Sequence, residues 1–341
     1  MHCISLVKTW LAVVVLAVVV SCSPAQHVEQ QIELNGNTMG TYYVVKFYPT
    51  TPIDKSTLQL AIDKELELVN DLMSTYRPDS ELMRFNRHPA AEPFSLSEQT
   101  RLVIAEALRL AQQTDGVLDV TVGPLTELWG FGARGRIEQA PSDSDIANTR
   151  AVVGYDKLIL TGNELTKAVT GLAVDLSTIA KGYGVDQVAA ILESYGVDNY
   201  LVEIGGEMRI KGEKAGAKPW KIAIEKPVSV ERAVQRILQT GNMGVATSGD
   251  YRNYFEQDSV RYSHLLDPRS GKPIQHRTVS VTVLHPSCMT ADGYATALNV
   301  MTADEALAFA NRYNIAALIV VKTDDGFTEL ASDAFKPFLT E

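Results

Sequence analysis

Helical and strand patterns occupy largely separate parts of this 341-residue chain, and that order constrains the fold most. Leucines alternate with charged residues over 57–73, as in an amphipathic helix, and Ser95 to Glu98 has a capping-box sequence that opens a helix to about Thr114. Beyond about Tyr200 the pattern is mostly that of strands. This segregated order predicts an α+β fold with mixed sheets and flanking helices, rather than a doubly wound parallel sheet.

The other predicted elements follow from the same periodicities and from turn signals. Predicted helices cover 177–195, 291–301 and 303–313, and a shorter one is opened by a second capping sequence at 142–145. Predicted strands cover 41–48, 173–176, 200–204, 208–211, 220–225 and 279–284, with a hairpin at 316–321 and 326–330.

The N-terminal segment has the composition of a cleaved signal. Lys8 precedes an apolar run over 10–20, which ends at Ser21 and Cys22. The run is too short to span a bilayer, which needs about 20 residues. The ending is similar to a bacterial lipobox, so we predict a lipoprotein signal peptide at 1–21, lipidation at Cys22 and a polar tether at 22–35. An ordinary signal peptide with a chance cysteine is the alternative.

Cysteine usage and charge narrow the protein class. Cys3 is removed with the signal and Cys22 carries lipid, so Cys288 is the one thiol of the mature chain, and a small buried hydrophobe is its expected role. No intrachain disulfide is then possible, and a hydrophobic core must supply stability. The formal net charge of −10 and the lack of a basic run argue against nucleic-acid binding.

Four clusters of polar residues and glycines interrupt the apolar elements. They are 37–41 (NTMGT), 115–132 (DGVLDVTVGPLTELWGFG), 174–186 (VDLSTIAKGYGVD) and 290–296 (TADGYAT), the last preceded by a loop at 263–271 (SHLLDPRSG). The third cluster fits neither the Walker A pattern nor the GxGxxG pattern. A different kind of phosphate or ligand site is therefore expected there.

The fourth cluster suits a divalent cation. Asp292 is expected in the first turn of its helix and Thr296 lies four residues later, on the same face. One carboxylate and one hydroxyl are too few for a calcium cage, but they suit Mg²⁺, which keeps water and substrate phosphates in its shell. The alternative is that Asp292 only caps the helix.

The third cluster and the loop at 263–271 have similar double interpretations. Asp175 at a strand end and the following helix start would face a ligand, or else Ser177 is simply the N-cap. Lys181 is poorly suited to the first turn of a helix, which hints at function. His264 is a candidate proton acceptor or an ordinary surface histidine.

Together these segments resemble one family. Eight segments occur in that family's order: NTMGTYY, TYRPDSELMRFN, DGVLDVTVGPLTELWGFG, VDLSTIAKGYGVD, YLVEIGGEMRIKG, GVATSGDYRNYF, SHLLDPRSG and TADGYATAL. The chain is thereby similar to the ApbE flavin transferases, over roughly 36–335. The resemblance implies a flavin transferase domain at 36–341, with an FAD cleft between lobes.

The resemblance also implies roles for individual residues. FAD contacts fall on Met39, Tyr76, Val117, Leu118, Asp119, Asp175, Lys181 and Leu266, and metal contacts on Thr178, Asp292 and Thr296. Some family members carry an aspartate where this chain has Ala295, which leaves one carboxylate for Mg²⁺. His264 would be the catalytic base.

The implied activity is Mg²⁺-dependent transfer of FMN from FAD to a threonine or serine hydroxyl of a target protein, with release of AMP. Implied acceptors are subunits of membrane redox complexes, the sodium-pumping NADH:quinone reductase and Rnf-type complexes. The expected location is the bacterial cell envelope, on a lipoprotein that faces the periplasm from the inner or outer membrane. Two alternatives stay open: an Mg²⁺-dependent FAD pyrophosphatase, and a non-catalytic FAD-binding lipoprotein.

Overall fold

The computed structural model describes residues 30–135, 137, 139–226, 234–249, 254–257 and 260–339. The predicted signal peptide, Cys22 and the first part of the tether lie outside the described residues. Within the described residues, no helix combines the length and the apolar character needed to cross a membrane.

An eight-stranded antiparallel sheet organises the molecule, in the order β1-β2-β6-β7-β10-β15-β16-β17. Its strands are β1 (Ile32–Thr38), β2 (Thr41–Phe47), β6 (Tyr200–Ile204), β7 (Glu207–Lys211), β10 (Gly244–Gly249), β15 (Thr278–His285), β16 (Ala316–Thr323) and β17 (Gly326–Ala331). Smaller sheets contain β3 (Phe94–Ser95), β4 (Leu158–Thr161), β5 (Glu164–Lys167), β8 (Ile222–Glu225), β9 (Val234–Leu238), β11 (Tyr254–Gln257), β12 (Val260–Ser263), β13 (Leu266–Asp267) and β14 (Lys272–Pro273).

Eight α-helices are defined in the described part of the chain. They are α1 (Lys55–Met73), α2 (Glu81–Arg87), α3 (Glu98–Gln113), α4 (Gly123–Leu128), α5 (Asp143–Arg150), α6 (Ala180–Ser194), α7 (Cys288–Val300) and α8 (Ala303–Arg312). Short 3₁₀ turns lie at Tyr155–Lys157 and Lys336–Phe338. Helices beside antiparallel sheets confirm the predicted α+β class.

Hydrophobic clusters cover both faces of the large sheet. On one face Val281 and Val283 of β15 pack with residues of α3 and α7, and on the other Leu284 packs with Leu318 of β16. Seven of the eight residues of β15 are therefore buried. The predicted strand at 279–284 lies within β15, although its sequence, TVSVTVLH, alternates valines with hydroxyl side chains that are buried as well.

Several predicted helix and strand boundaries are wrong. The N-cap of α3 is Ser97, whereas Ser95 belongs to β3, and the carboxylate that reaches this cap comes from Glu81 of α2 rather than from Glu98. Residues 173–176 form no strand, only an isolated parallel bridge between Ala173 and Val122. Strand β1 begins at Ile32, so the last residues of the predicted tether belong to the sheet.

The two helices nearest the predicted site also begin elsewhere than expected. Helix α6 begins at Ala180 after a turn, and its cap position is Ile179, so the interpretation of Ser177 as N-cap is wrong. Helix α7 begins at Cys288 with Ser287 as its N-cap. Asp292 is thus the fifth residue of its helix and lies beyond the first turn. Cys288 is a free, buried thiol, as predicted.

Candidate functional site

A cavity of about 780 Å³ collects most of the predicted site residues. Its walls come from the segment after α1, the 117–134 region, the segment before α6, the β6–β7 turn, the loop after β12 and helix α7. The predicted residues that line it are Tyr76, Val117, Leu118, Asp119, Asp175, Thr178, Lys181, His264, Leu266, Asp292 and Thr296.

Met39 lies outside this lining. Its backbone has φ of 48°, at the turn between β1 and β2, and its side chain packs against two hydrophobic clusters. The Met39 methyl group would also be 2.9 Å from a Cβ placed on Gly184 of α6. In this structure Met39 supports the helix that borders the cavity, and its predicted FAD contact stays a prediction.

Close packing of α6 on α7 places Asp292. A Cβ at Gly182 would collide with the backbone carbonyl of Cys288, so glycine is needed for this approach. The N–H of Gly182 donates to Asp292 Oδ2 over 3.0 Å. Asp292 is therefore stabilised by the first turn of α6, and not by the first turn of its own helix as the sequence suggested.

Asp186 on α6 fixes the other end of this contact. Its carboxylate accepts hydrogen bonds from Ser287 Oγ at 2.8 Å and from the backbone N–H groups of Cys288 and Met289 at 3.0 and 3.1 Å. An acid that accepts from the first N–H groups of a helix caps it from outside. Each of the two helices thus contributes one carboxylate that accepts hydrogen bonds from the start of the other helix.

Lys181, Gly182, Glu207 and Asp292 form what we call the buried end of the cavity. Lys181 Nζ lies 2.7 Å from Glu207 Oε1, and the side chain of Glu207 is only 4% exposed. Burial opposes the charge of Lys181, but Asp292 and Glu207 outweigh it and raise the pKa of the ammonium. Burial, reinforced by Glu207, raises the pKa of Asp292 well above its usual range, against the effects of Lys181 and the Gly182 N–H.

Glu207 is the residue that the sequence reasoning missed. It follows Gly205 and Gly206, which have φ of 59° and 110° in the turn between β6 and β7, and this turn brings its carboxylate to the start of α6. The segment EIGGE contains an acid directly after two glycines, and this acid after a glycine turn is the signal in the sequence that indicates Glu207.

The segment before α6 lies against the 117–122 region. The N–H of Asp175 donates to the carbonyl of Val120 over 2.7 Å, and its Oδ1 accepts from the N–H of Ser177. Burial, with Glu127 as a further contribution, raises the pKa of Asp175. The hydroxyl of Thr178, which lines the cavity, is buried and has no hydrogen-bond partner within the described part of the chain.

The side chains of residues 117–119 make their contacts inside the protein. Val117 and Leu118 belong to the hydrophobic core. Asp119 accepts from the N–H and hydroxyl of Thr121 and from the N–H of Tyr155, and burial raises its pKa. A ligand would therefore meet mainly the backbone and exposed edges of this segment.

Tyr76, Phe131, Arg134 and His264 form the rim of the cavity. The side chain of Tyr76 is 69% exposed, and Phe131 meets His264 edge-on at 6.4 Å between ring centroids. Glu127 holds this loop, because its carboxylate accepts from the N–H groups of residues 133 and 134 at 2.8 and 3.2 Å. Loops, rather than helix starts, position the rim.

Comparison with known proteins decides the family. The model of the ApbE family matches residues 39–319. The chain belongs to the ApbE family. It is 53% identical to the FAD:protein FMN transferase of Vibrio cholerae over 335 residues, which is 98% of this chain and all of that one, and 46% identical to that of Haemophilus influenzae, over 96% and 97% of the two chains.

Solved ApbE structures share the fold. The flavin transferase ApbE from Vibrio cholerae superposes with a TM-score of 0.85 at 54% identity, covering 91% of this chain and 99% of that one. The apo flavinyl transferase ApbE of Pseudomonas stutzeri gives a TM-score of 0.84 at 42% identity, covering 91% and 96%. The ApbE match spans every predicted site residue from Met39 to Thr296, and Cys22 precedes it.

Proposed function

We propose that this chain is an FAD:protein FMN transferase that moves FMN from FAD onto a threonine or serine hydroxyl of a partner protein. The 53% identity to the Vibrio cholerae enzyme across nearly the whole of both chains carries the proposal. The cavity supports it, since a carboxylate, a lysine, two threonines and a histidine converge on a space large enough for a dinucleotide.

The charge of the cavity supports a bound cation. Among the described residues that line it, five are carboxylates (Asp119, Glu127, Asp175, Glu207 and Asp292) against two permanent cations, Lys181 and Arg134. Such a lining repels the diphosphate of FAD unless positive charge is added. A divalent cation at the diphosphate would supply that charge.

The donor atoms fit Mg²⁺. Asp292 offers one carboxylate, Thr296 a hydroxyl and Thr178 a carbonyl, and the Thr178 hydroxyl is buried with no partner among the described residues. No group of three or more histidine, cysteine, aspartate or glutamate side chains suited to a metal occurs in the described part of the chain. The donor set therefore suits an ion that relies on phosphate and water for the rest of its shell. Mg²⁺ held there would neutralise charge that develops on the phosphates.

The transfer then needs positioning and one proton acceptor. The acceptor hydroxyl attacks the FMN-side phosphorus, a new P–O bond forms, the bond to the bridging oxygen breaks, and AMP leaves with that electron pair. We assign the hydroxyl proton to His264, which lines the cavity. Lys181 faces the same space and suits the phosphate oxygens as a cation.

Two other activities use the same cavity. An FAD pyrophosphatase would pass FMN to water, and a storage protein would bind FAD without reaction. One incubation separates them: FAD, Mg²⁺ and a flavin-bearing subunit of the sodium-pumping NADH:quinone reductase are mixed with the protein, and the acceptor is weighed by mass spectrometry. Transfer adds one FMN to the acceptor, hydrolysis yields free FMN and an unchanged acceptor, and storage leaves FAD intact. Either of the last two results contradicts the proposal.

The cell-envelope setting is a further part of the proposal. The sequence at 8–22 supports lipidation at Cys22, and acceptor subunits of sodium-pumping and Rnf-type complexes fit a transferase that faces the periplasm. Cys22→Ser should abolish membrane attachment and leave the chain unprocessed or soluble. A variant that matures and fractionates with membranes like the wild type contradicts lipidation.

A further inference from the structure

The carboxylate of Glu207 is half satisfied. Its Oε1 is paired with Lys181 Nζ at 2.7 Å, while its Oε2 is buried and has no hydrogen-bond partner among the residues that the structure describes. The residue is 3% exposed and lines the cavity. A buried carboxylate oxygen without a donor is costly, so a group that enters the cavity is the natural source of one.

The chemistry of Glu207 restricts what that group can be. The Glu207 carboxylate accepts from the Lys181 ammonium at 2.7 Å, and a carboxylate paired in this way is an acceptor of hydrogen bonds. Phosphate oxygens are acceptors and negatively charged, so they cannot satisfy Oε2. A second cation at Oε2 would face the neighbouring Lys181 ammonium and is disfavoured. A neutral O–H or N–H donor is what remains.

The position of Glu207 restricts the donor further. A donor on Oε2 lies within roughly 8 Å of the Lys181 nitrogen, because the path between them consists of two hydrogen bonds and the short separation of the two carboxylate oxygens. If Lys181 serves the diphosphate, the donor lies a few bonds from phosphorus. In FAD the hydroxyls of the ribityl chain and of the adenosine ribose meet this condition, whereas the ring N–H and the adenine amine are farther away.

We propose that Glu207 is a substrate-binding residue whose Oε2 accepts a hydrogen bond from a sugar-type hydroxyl of FAD beside the diphosphate. The inference rests on the proposed function, because it takes FAD as the ligand. Glu207 then has two tasks: one oxygen orients Lys181 and the other recognises the polyol. A flavin or nucleotide that lacks this hydroxyl would leave Oε2 unpaired and bind poorly.

A cycle of one variant and two FAD analogues tests this. The dissociation constants of FAD, of an analogue without the ribityl hydroxyl next to the phosphate-bearing carbon, and of an analogue without the ribose hydroxyls are measured by flavin fluorescence at fixed Mg²⁺. In the wild type, one analogue should bind about 10- to 100-fold more weakly than FAD, as for loss of a hydrogen bond to a charged group. In Glu207→Gln, that analogue should bind only about 2- to 10-fold more weakly than FAD, because an uncharged amide bonds the hydroxyl less strongly than a carboxylate does.

The deciding quantity is the coupling between Glu207 and a ligand hydroxyl, that is, how far the affinity lost with the hydroxyl depends on the presence of Glu207. A purely structural role of Glu207 would weaken the binding of all three ligands by the same factor and give no coupling. Coupling between Glu207 and the ribityl hydroxyl assigns the FMN side, and coupling between Glu207 and the ribose hydroxyls assigns the AMP side. Additive effects for both analogues, or unchanged FAD affinity in Glu207→Gln, overturn the proposal.

Controls keep the result interpretable. Glu203 lies on the same hairpin, and its carboxylate accepts a hydrogen bond from the Tyr42 hydroxyl at an exposed site. The control variant Glu203→Gln should bind all three ligands like the wild type. If Glu207→Gln fails to fold, Glu207→Asp, which keeps the charge on a shorter side chain, enters the same cycle.

Binding needs no acceptor protein, so wild type that binds FAD without transferring FMN contradicts the proposed function alone. Additive effects in an active transferase contradict this inference alone.

Discussion

The buried end and the rim of the cavity are held in different ways. At the buried end, Asp292 is fixed by the Gly182 N–H and Lys181 by Glu207, all on regular elements that cross at a close helix contact. At the rim, Tyr76 is largely exposed, and Phe131 and Arg134 belong to a loop held by the carboxylate of Glu127.

This difference suggests a division of labour. Rigid, buried charges act well on a transition state because they need no reorganisation when charge develops. Exposed aromatic and loop residues suit the binding of a flavin ring and of a protein acceptor, which must enter and leave. We therefore expect substitution of Asp292 at the buried end to reduce the rate of transfer and substitutions at the rim to act mainly on binding. His264 at the rim and Glu207 at the buried end are the exceptions.

The largest effect is expected for Asp292→Ala. Without its one carboxylate the metal site keeps only uncharged donors, which bind a strongly hydrated dication poorly. Single-turnover FMN transfer should fall by about 10²- to 10³-fold or more, while FAD affinity should fall much less. Asp292→Asn, which keeps the shape of the side chain, is the matched variant and should lose transfer similarly. Near wild-type transfer by Asp292→Ala would remove Asp292 from the metal site.

A smaller loss is expected for His264→Gln. A general base contributes less to the rate of phosphoryl transfer than to that of other reactions, because in the loose transition state the proton is still largely bound to the nucleophile. We expect transfer to fall on the order of 10²-fold, with FAD affinity kept and the rise of rate with pH lost. A variant that keeps the wild-type pH–rate profile would show that the proton goes elsewhere.

The helix contact itself is tested by Gly182→Ala. The added Cβ would meet the backbone of Cys288, so α6 and α7 must separate, and the Gly182 N–H must move away from Asp292. Overpacking of this kind costs about 1–3 kcal/mol of unfolding free energy, measurable by urea denaturation. Ala190→Ser adds one atom to an exposed position of the same helix and should stay within about 0.5 kcal/mol of wild type.

The smallest effect is expected for Tyr76→Ala. Stacking of a phenol on a flavin contributes about 0.5–1.5 kcal/mol, so FAD affinity should drop only a few-fold, with less quenching of flavin fluorescence in the complex. Tyr195→Ala, at another exposed tyrosine at the end of α6, should change neither quantity. Equal behaviour of the two variants would place Tyr76 outside the flavin site.

Local patterns in the sequence predicted more of the fold than of the site. The amphipathic helix α1 and the strands β6 and β15 were predicted within a few residues, because each buries one or both faces regularly. The predicted strand at 173–176 is wrong, because an apolar run does not show whether a partner strand lies beside it.

The errors at the site have a common physical cause. The position of Asp292 depends on a backbone N–H from another helix, and the pairing of Lys181 depends on Glu207 from a hairpin turn. Both are tertiary contacts between residues far apart in the sequence, so no local sequence pattern indicates them. Lys181 was nonetheless recognised as locally misplaced in a first helical turn, and its ion pair with Glu207 explains why it is kept there.

A side-by-side steady-state measurement of Asp292→Ala and Tyr76→Ala tests the division of labour most directly. FMN transfer to one acceptor protein is followed over a range of FAD concentrations, so that kcat and KM for FAD are separated. The account predicts a collapse of kcat in Asp292→Ala and a raised KM with kcat nearly unchanged in Tyr76→Ala. A raised KM alone in Asp292→Ala, or a collapse of kcat in Tyr76→Ala, would contradict it.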